Sequence, residues 1–314
     1  MKILFAAPEN AWGGFLEMVR SELPQHQFVA TGKFDVDTLK GFDVLIPTMS
    51  PVTKMLLRTS DRLRLIQQCG AGLEGVDIQA AGKLNIWVAN VPTEIGNAHA
   101  VAELGIYMMI GLSRNVRAMA QSLAERKMGQ PQGKDLKGRT VGIVGLGGIG
   151  RALVKRLKAF DMRLIAVKRE NPEKAMKELD LESVGGAGDL DKLLARSDFV
   201  VLCLPVTSET QFIMNRNSFL SMKKDAFLIN LSRGGLIEYN ALLEALSSGL
   251  IAGAGLDVFW EEPPDPDDPI FDYNVLATPH IAGSTDGSML NIVKVVAENI
   301  RRIEKNEEPL NCCN

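Results

Sequence analysis

The chain has 314 residues, 46% of them hydrophobic and 23% charged, with a formal net charge of −3 at pH 7. That length exceeds one typical core and implies two domains, the composition excludes disorder, and a slightly acidic chain has no electrostatic footprint for nucleic acid. Four cysteines, at 69, 203, 312 and 313, contain no C-x-x-C pair and exclude a disulfide or zinc framework. The N-terminal MKILFAAPEN lacks the apolar core of a signal peptide and no run approaches bilayer length, so a cytoplasmic protein without metal or membrane contact is expected.

From the N-terminus to about residue 97, β-like runs at 3–6, 44–46, 65–67 and 86–89 alternate with amphipathic stretches such as 15–22 and 53–58, which predicts a small α/β unit. Residues 98–115 form an almost continuous apolar run containing Leu104, Ile106, Met108, Met109 and Ile110, predicting a long buried helix. Residues 118–139 are polar, contain Gly129, Pro131 and Gly133, and are expected to form a loop.

The sequence VGIVGLGGIG at 141–150 follows: β-formers, then Gly145, Gly147 and Gly150 at G-x-G-x-x-G spacing, then a helical pattern to Phe160. The first glycine permits a tight turn, the second lets backbone N–H groups approach a pyrophosphate, and the third lets the helix lie close to the sheet. The anion then lies at the positive end of the helix. Strands near 164–167, 199–202, 227–230, 253–256 and 275–277 continue the alternation and predict a doubly wound parallel sheet. The segment EEPPDPDDP at 261–269 is expected to be a loop. Residues 288–304, apolar at Leu290, Ile292, Val293, Val296, Ile300 and Ile303, predict an amphipathic helix able to return to the first domain.

Three histidines exist, His26, His99 and His280. His280 follows the last strand and opens the turn PHIAGST, where open α/β sheets place their ligands; His26, in a polar turn, and His99, near a helix start, fit solvated or structural roles better. In NLSRGGLIE, 230–238, Arg233 is delivered at a strand end and has the fork geometry to grip a carboxylate. In GLDVFWEEPP, 255–264, Asp257 ends a strand, and either Glu261 or Glu262 can reach His280, orient it and favour its protonated form.

In the order GLGGIG, NLSRGG, GLDVFWEEPP and PHIAGST, together with GAGLEGVD at 70–77 and NAHAVAE at 97–103, the chain resembles the D-isomer-specific 2-hydroxyacid dehydrogenases, a family that includes glyoxylate and hydroxypyruvate reductases. The resemblance implies a Rossmann cofactor domain, 98–286, inserted into a smaller flavodoxin-like substrate domain, 1–97 plus 287–314, with the active site in the cleft between them. It implies that Arg233, Glu262 and His280 are catalytic, Glu262 being the glutamate directly before the paired prolines. Ala71, Gly72 and Leu73, with Arg233 and His280, are then the substrate-binding residues. The cofactor-binding residues implied are Gly145, Gly147, Gly148, Ile149, Gly150, Lys168, Arg169, Leu204, Pro205, Thr210, Leu231, Ser232, Asp257 and Gly283. A reduced nicotinamide would pass hydride to a small 2-oxo acid, His280 would protonate the oxygen to give the D-2-hydroxy acid, and a homodimer through the long helix and its following loop is implied.

At the end of the second strand after the glycine motif, where a site for NAD carries an acid, this chain has Lys168 and Arg169, followed by Glu170 and Asn171. Two cations suit a 2′-phosphate, so NADP(H) is expected to be preferred, with NAD(H) possible. The loop ERKMGQPQGKD lacks the tryptophan that many members place beside the substrate. The loop at 47–53 lacks the arginine that phosphoglycerate dehydrogenases present to a phosphate, which disfavours that substrate, and no regulatory domain is expected after the last helix. A formate or phosphite dehydrogenase, which the glutamate before the prolines disfavours in the formate case, and a corepressor-like dinucleotide sensor are the alternative functions.

Overall fold

Apolar runs of three to five residues become strands of two all-parallel sheets, and the amphipathic stretches between them become the covering helices. The computed structural model describes all residues 1–314 and divides into two units, Met1–Asn97 with Ser284–Asn314, and Ala98–Gly283. The expected fold class is what is found.

In the first unit, strands β1 (Lys2–Phe5), β2 (Gln27–Ala30), β3 (Val44–Ile46), β4 (Leu65–Gln67) and β5 (Trp87–Ala89) form a sheet of order β2-β1-β3-β4-β5, the flavodoxin-like order. Helices α1 (Ala11–Glu22), α2 (Lys54–Leu57) and α3 (Ile78–Lys83) connect them. Residues 12–14 are non-helical, so α1 begins in earnest at Phe15. The sheet is buried on both faces. On one face Phe15, Leu16 and Val19 join Ile3, Phe5, Val44 and Ile46; on the other Leu4, Leu45 and Ile66 meet Leu39, Leu57 and Ala81.

The second unit begins with α4 (Ala98–Arg114) and α5 (Val116–Ala124), and then carries β6 (Thr140–Val144), α6 (Gly148–Leu157), β7 (Arg163–Val167), α7 (Pro172–Leu179), β8 (Ser183–Gly185), α8 (Leu190–Arg196) and β9 (Phe199–Leu202). It continues through α9 (Arg216–Ser221), β10 (Phe227–Asn230), α10 (Tyr239–Ser247), β11 (Gly253–Leu256) and β12 (Val275–Ala277). The sheet order is β12-β11-β10-β9-β6-β7-β8, so the winding direction reverses at β6, the position at which doubly wound sheets bind dinucleotides.

The last helix, α11 (Asp286–Glu304), belongs to the first unit, where Val293, Val296, Ala297, Ile300 and Ile303 join the core. Beyond it the chain turns back onto the sheet. The Asn299 amide, fully buried, donates to Gln67 Oε1 at 2.6 Å and to the Leu310 carbonyl at 3.1 Å, and its oxygen accepts from the Leu310 N–H at 2.7 Å. Residues 311–314 then run antiparallel to β5: Ala89 bridges Cys312, Asn90 N donates to Asn311 O at 3.4 Å, and Cys313 N donates to Val88 O at 2.8 Å. Asn314 accepts from Val88 N and donates to Ile86 O through its side chain. No helix is long and apolar enough to cross a membrane.

Several expectations need correction. Residues 118–124 are helical, not loop, because Asn115 caps α5 by accepting from Ala118 N. α5 buries no residue, although Val116, Met119 and Leu123 recur at helical spacing; that period spans only nine residues at the head of a polar segment. The long helix is buried on one face only: Met108 and Met109 are fully covered, whereas Ile110 and Tyr107 are 39% and 48% exposed. Leu290 is likewise exposed, since it sits on the outer side of α11. Of the two roles expected for His26, solvated or structural, its surroundings fit the structural one: its ring is buried, with Nδ1 3.3 Å from the N-terminal amine and Nε2 3.6 Å from Glu304, and burial followed by the N-terminal charge lowers its pKa.

Replacing Asn299 by alanine leaves the Gln67 oxygen and both Leu310 backbone groups short of a buried partner. The expected cost is about 1–3 kcal/mol, read as a lower urea midpoint for the variant than for wild type; an unchanged midpoint would show that water replaces the amide.

Candidate active site

The second unit delivers its candidate groups from the carboxyl ends of adjacent strands. β6 ends in a turn at Gly145, whose φ of +99° is left-handed, and a methyl there would lie 2.7 Å from the Cys203 carbonyl oxygen. Only glycine permits the chain to turn there against the start of the β9 loop. α6 then starts at Gly148 with Gly147 as its N-cap and no side chain capping it. Arg151 N is the N–H that reaches the Gly147 carbonyl, so the N–H groups of Gly148, Ile149 and Gly150 precede the intrahelical ladder. An uncapped, glycine-lined helix start with open space at Gly147 fits a pyrophosphate.

The neighbouring loops complete this edge. Lys168 follows β7, its backbone N–H donating to Gly185 O at 3.0 Å. The Arg169 guanidinium is 2.9 Å from Glu209 and 3.7 Å from Glu170. The turn after β9 is held by Thr210, whose hydroxyl donates to the Pro205 carbonyl at 2.7 Å and accepts from Thr207 N at 2.7 Å. Leu204 packs against the core, and the Leu231 side chain is buried in it, so any part Leu231 has in holding a ligand is confined to its backbone. Ser232 is also buried, its hydroxyl donating to Leu202 O at 3.0 Å. Gly283 closes the unit.

Three segments distant in sequence meet at the ends of β10, β11 and β12. Asn230, fully buried, ends β10 and donates through its side chain to the Arg233 carbonyl at 2.8 Å. Arg233 Nη1 donates to the Ser232 carbonyl at 2.8 Å. Gly234 lies so close to the next loop that a methyl would sit 2.1 Å from the Phe259 carbonyl oxygen, and this contact sets Arg233 beside the 259–262 segment. Phe259 N in turn donates to Glu262 Oε1 at 3.1 Å, and the other carboxylate oxygen is 2.7 Å from His280 Nδ1. Glu262, and not Glu261, therefore faces the imidazole.

Asp257 is 1% exposed and uses both oxygens within the protein. Oδ1 accepts from Thr278 Oγ1 at 2.7 Å and Ile281 N at 2.9 Å, and Oδ2 from Ala282 N at 3.0 Å. It fixes the turn that carries His280, whose φ of +53° is left-handed. Burial pushes the Asp257 carboxyl up from its ordinary value, against the pull of these hydrogen bonds and of the His280 charge. For Glu262 the balance goes the other way. Burial favours its neutral form, but the hydrogen bonds from His280 and Phe259 N, with the charges of His280 and Arg233, together hold it below its ordinary 4.5. An ionised Glu262 accepts only, so Nδ1 of His280 is the protonated nitrogen and Nε2 is left for chemistry.

In the first unit, the turn holding Ala71, Gly72 and Leu73 is tied down by Val91 N to Gly70 O at 3.2 Å and by Asn90 Nδ2 to Ala71 O at 2.8 Å. Asn90, Asn230, Thr278 and Glu209 were not singled out in the sequence. Asn230 and Thr278 sit within or next to the quoted motifs, but Asn90 and Glu209 carry no spacing signal.

The sequence profile of the D-isomer-specific 2-hydroxyacid dehydrogenase NAD-binding domain matches residues 106–282. The chain belongs to this family. It is 36% identical over 281 residues to a glyoxylate reductase of Pyrococcus horikoshii, covering 86% of this chain and 82% of that protein. It is 38% identical over 249 residues to a hydroxypyruvate reductase of Thermotoga maritima, covering 77% and 78%. Among solved structures, the D-lactate dehydrogenase of Aquifex aeolicus complexed with NAD and lactic acid superposes with a TM-score of 0.85 at 25% identity, over 99% of this chain and 98% of that one. The chain spans about half, 53%, of a D-3-phosphoglycerate dehydrogenase of Methanocaldococcus jannaschii to which it is 35% identical over 283 residues, 89% of this chain.

Because the folded pKa of Glu262 lies below 4.5, the stability its ionised form contributes is complete above pH 4.5 and is lost as pH falls through the folded value. The difference in Tm between wild type and Glu262→Gln is accordingly expected to shrink as the buffer is taken from pH 5 to more acidic values. A difference that grows toward acid would reverse the assignment.

Proposed function

We propose that this protein reduces a small 2-oxo acid, such as glyoxylate or hydroxypyruvate, to the D-2-hydroxy acid with a nicotinamide dinucleotide. The observation that carries the reading is the 2.7 Å contact between Glu262 and His280, with Arg233 set on the adjoining segment, at the strand ends of a dinucleotide-binding sheet. The names of the reductases to which the chain is similar support the substrate class.

In this reading residues 98–286 bind the dinucleotide, and residues 1–97 with 287–314 bind the substrate. The N–H groups of Gly148, Ile149 and Gly150 hold the pyrophosphate, and Gly145 and Gly147 give it room; Leu204, Pro205, Thr210, Leu231, Ser232, Asp257 and Gly283 line the remaining contacts. A bound, reduced nicotinamide supplies hydride. Protonated His280 holds a proton at Nε2 and passes it to the carbonyl oxygen, while Glu262 at Nδ1 stabilises the imidazolium before transfer. Arg233 polarises that oxygen and anchors the carboxylate with its planar fork. Backbone groups of Ala71, Gly72 and Leu73 take the carboxylate as well, a role supported by the two hydrogen bonds that fix their turn. In the oxidative direction His280 accepts the proton instead.

The same reading includes a homodimer. Tyr107 and Ile110 on α4, and Met119 and Leu123 on α5, are exposed apolar side chains, and no residue of α5 is fully buried. It also includes a preference for NADP(H), with NAD(H) accepted, because Lys168 and Arg169 stand where a site for NAD carries an acid.

With a panel of glyoxylate, hydroxypyruvate and bulkier 2-oxo acids, nicotinamide oxidation is expected with at least one of the small acids. His280→Ala is expected to lower kcat about a hundredfold or more with cofactor affinity retained. No turnover with any acid would leave a dinucleotide-sensing protein as the better reading. For the cofactor, kcat/KM is expected to be higher with NADPH than with NADH, and the order to reverse in a Lys168→Asp, Arg169→Ala variant. Equal values, or values favouring NADH, in wild type would overturn the preference.

A further inference from the structure

We propose that Glu209 is a specificity-determining residue of the dinucleotide site, a carboxylate brought in from a second strand that competes with a 2′-phosphate for Arg169 and is itself the acceptor for an unphosphorylated ribose. The proposal rests on the reading that the loop after β7 meets the adenosine ribose.

The topology places the two residues together. β7 and β9 lie on either side of β6, so the loops that follow them flank the Gly145 turn. The β7 loop supplies Lys168 and Arg169 and no acid until Glu170; the β9 loop supplies Glu209, whose Oε2 is 2.9 Å from Arg169 Nη1. The carboxylate missing from the end of β7 is thus present in space, delivered from the opposite side of the central strand.

Glu209 is presented by a fixed turn. Its N–H donates to Thr207 Oγ1 at 3.2 Å, and Thr210 ties the turn to Pro205 and to Thr207 N. The contact itself is exchangeable. Arg169 and Glu209 side chains are 68% and 69% exposed, and an ion pair so well solvated is worth only about 0.2–1 kcal/mol. A 2′-phosphate offers the guanidinium a bidentate, more highly charged partner and displaces the carboxylate. A ribose 2′-hydroxyl offers nothing to the guanidinium but can donate to Glu209. Charge bookkeeping gives the direction: Glu170 and Glu209 balance Lys168 and Arg169, so the site has no surplus of positive charge for a phosphate until Glu209 is set aside. Glu209 therefore restrains the preference for NADP(H) and sustains the use of NAD(H).

The test uses adenosine 2′,5′-bisphosphate and adenosine 5′-monophosphate, which differ by the 2′-phosphate alone, titrated calorimetrically into wild type, Glu209→Gln and Arg169→Ala. Glu209→Gln is expected to raise the ratio of bisphosphate to monophosphate affinity about two- to fivefold, the range a solvated ion pair allows, and Arg169→Ala to lower it. A ratio unchanged by Glu209→Gln but lowered by Arg169→Ala overturns the role of Glu209 and leaves the phosphate reading standing. A ratio unchanged by Arg169→Ala removes that reading and the proposal with it. Both residues are exposed, and circular dichroism of each variant is expected to match wild type.

Discussion

The buried carboxylate of Asp257 is the constraint on which the candidate site depends. It carries three hydrogen bonds to the 278–282 turn, which holds His280 in a left-handed conformation that a residue with a Cβ adopts at a cost. From His280 the linkage runs to Glu262, from Glu262 to the Phe259 N–H, and from the Phe259 carbonyl to Gly234, next to Arg233. Arginine, glutamate and histidine are therefore positioned largely by backbone groups, which have fewer alternative conformations than side chains and keep the geometry before any ligand arrives.

The electrostatics of the two acids differ for a physical reason. At Asp257, almost fully covered, burial prevails over three neutral donors and the His280 charge, and its carboxyl is pushed up; at Glu262 the hydrogen bonds from His280 and Phe259 N with the charges of His280 and Arg233 prevail over burial, and its carboxyl is held down. The first suits a structural acceptor and the second suits a permanent anion beside an imidazole. The thiols nearest the strand ends offer no competing chemistry, since burial pushes Cys69 and Cys203 up to about 12.

Strands fully packed on both faces were legible in the sequence. β3, β4, β9, β10 and β11, buried at every residue, occupy the positions that short apolar runs indicate, as does the edge strand β12, of which only Val275 is buried. The elements that escaped are β2 and β8, each at a sheet edge with partly exposed residues throughout, and α5, which buries nothing. Periodicity reports burial, and the two edge strands are shaped by pairing instead, while the short apolar period of α5 lies at the head of a polar segment. The same division holds at the candidate site. Gly145, Arg233, Glu262 and His280 stand out through local motifs, and resemblance separated Glu262 from Glu261. Glu209 and Asn90 matter through contacts across 40 and 19 residues of sequence, for which no local pattern exists.

Residues 311–314 have one more consequence, arising from their antiparallel pairing with β5. A parallel sheet presents an open row of peptide groups at its last strand, a template on which another chain can grow. Here that row is occupied by the molecule's own polypeptide, clamped at its end by the Asn314 amide on Val88 and Ile86. The tail serves as a guard strand: at the β5 edge of the first sheet the peptide groups on which another chain would pair are already taken by four residues of the same polypeptide.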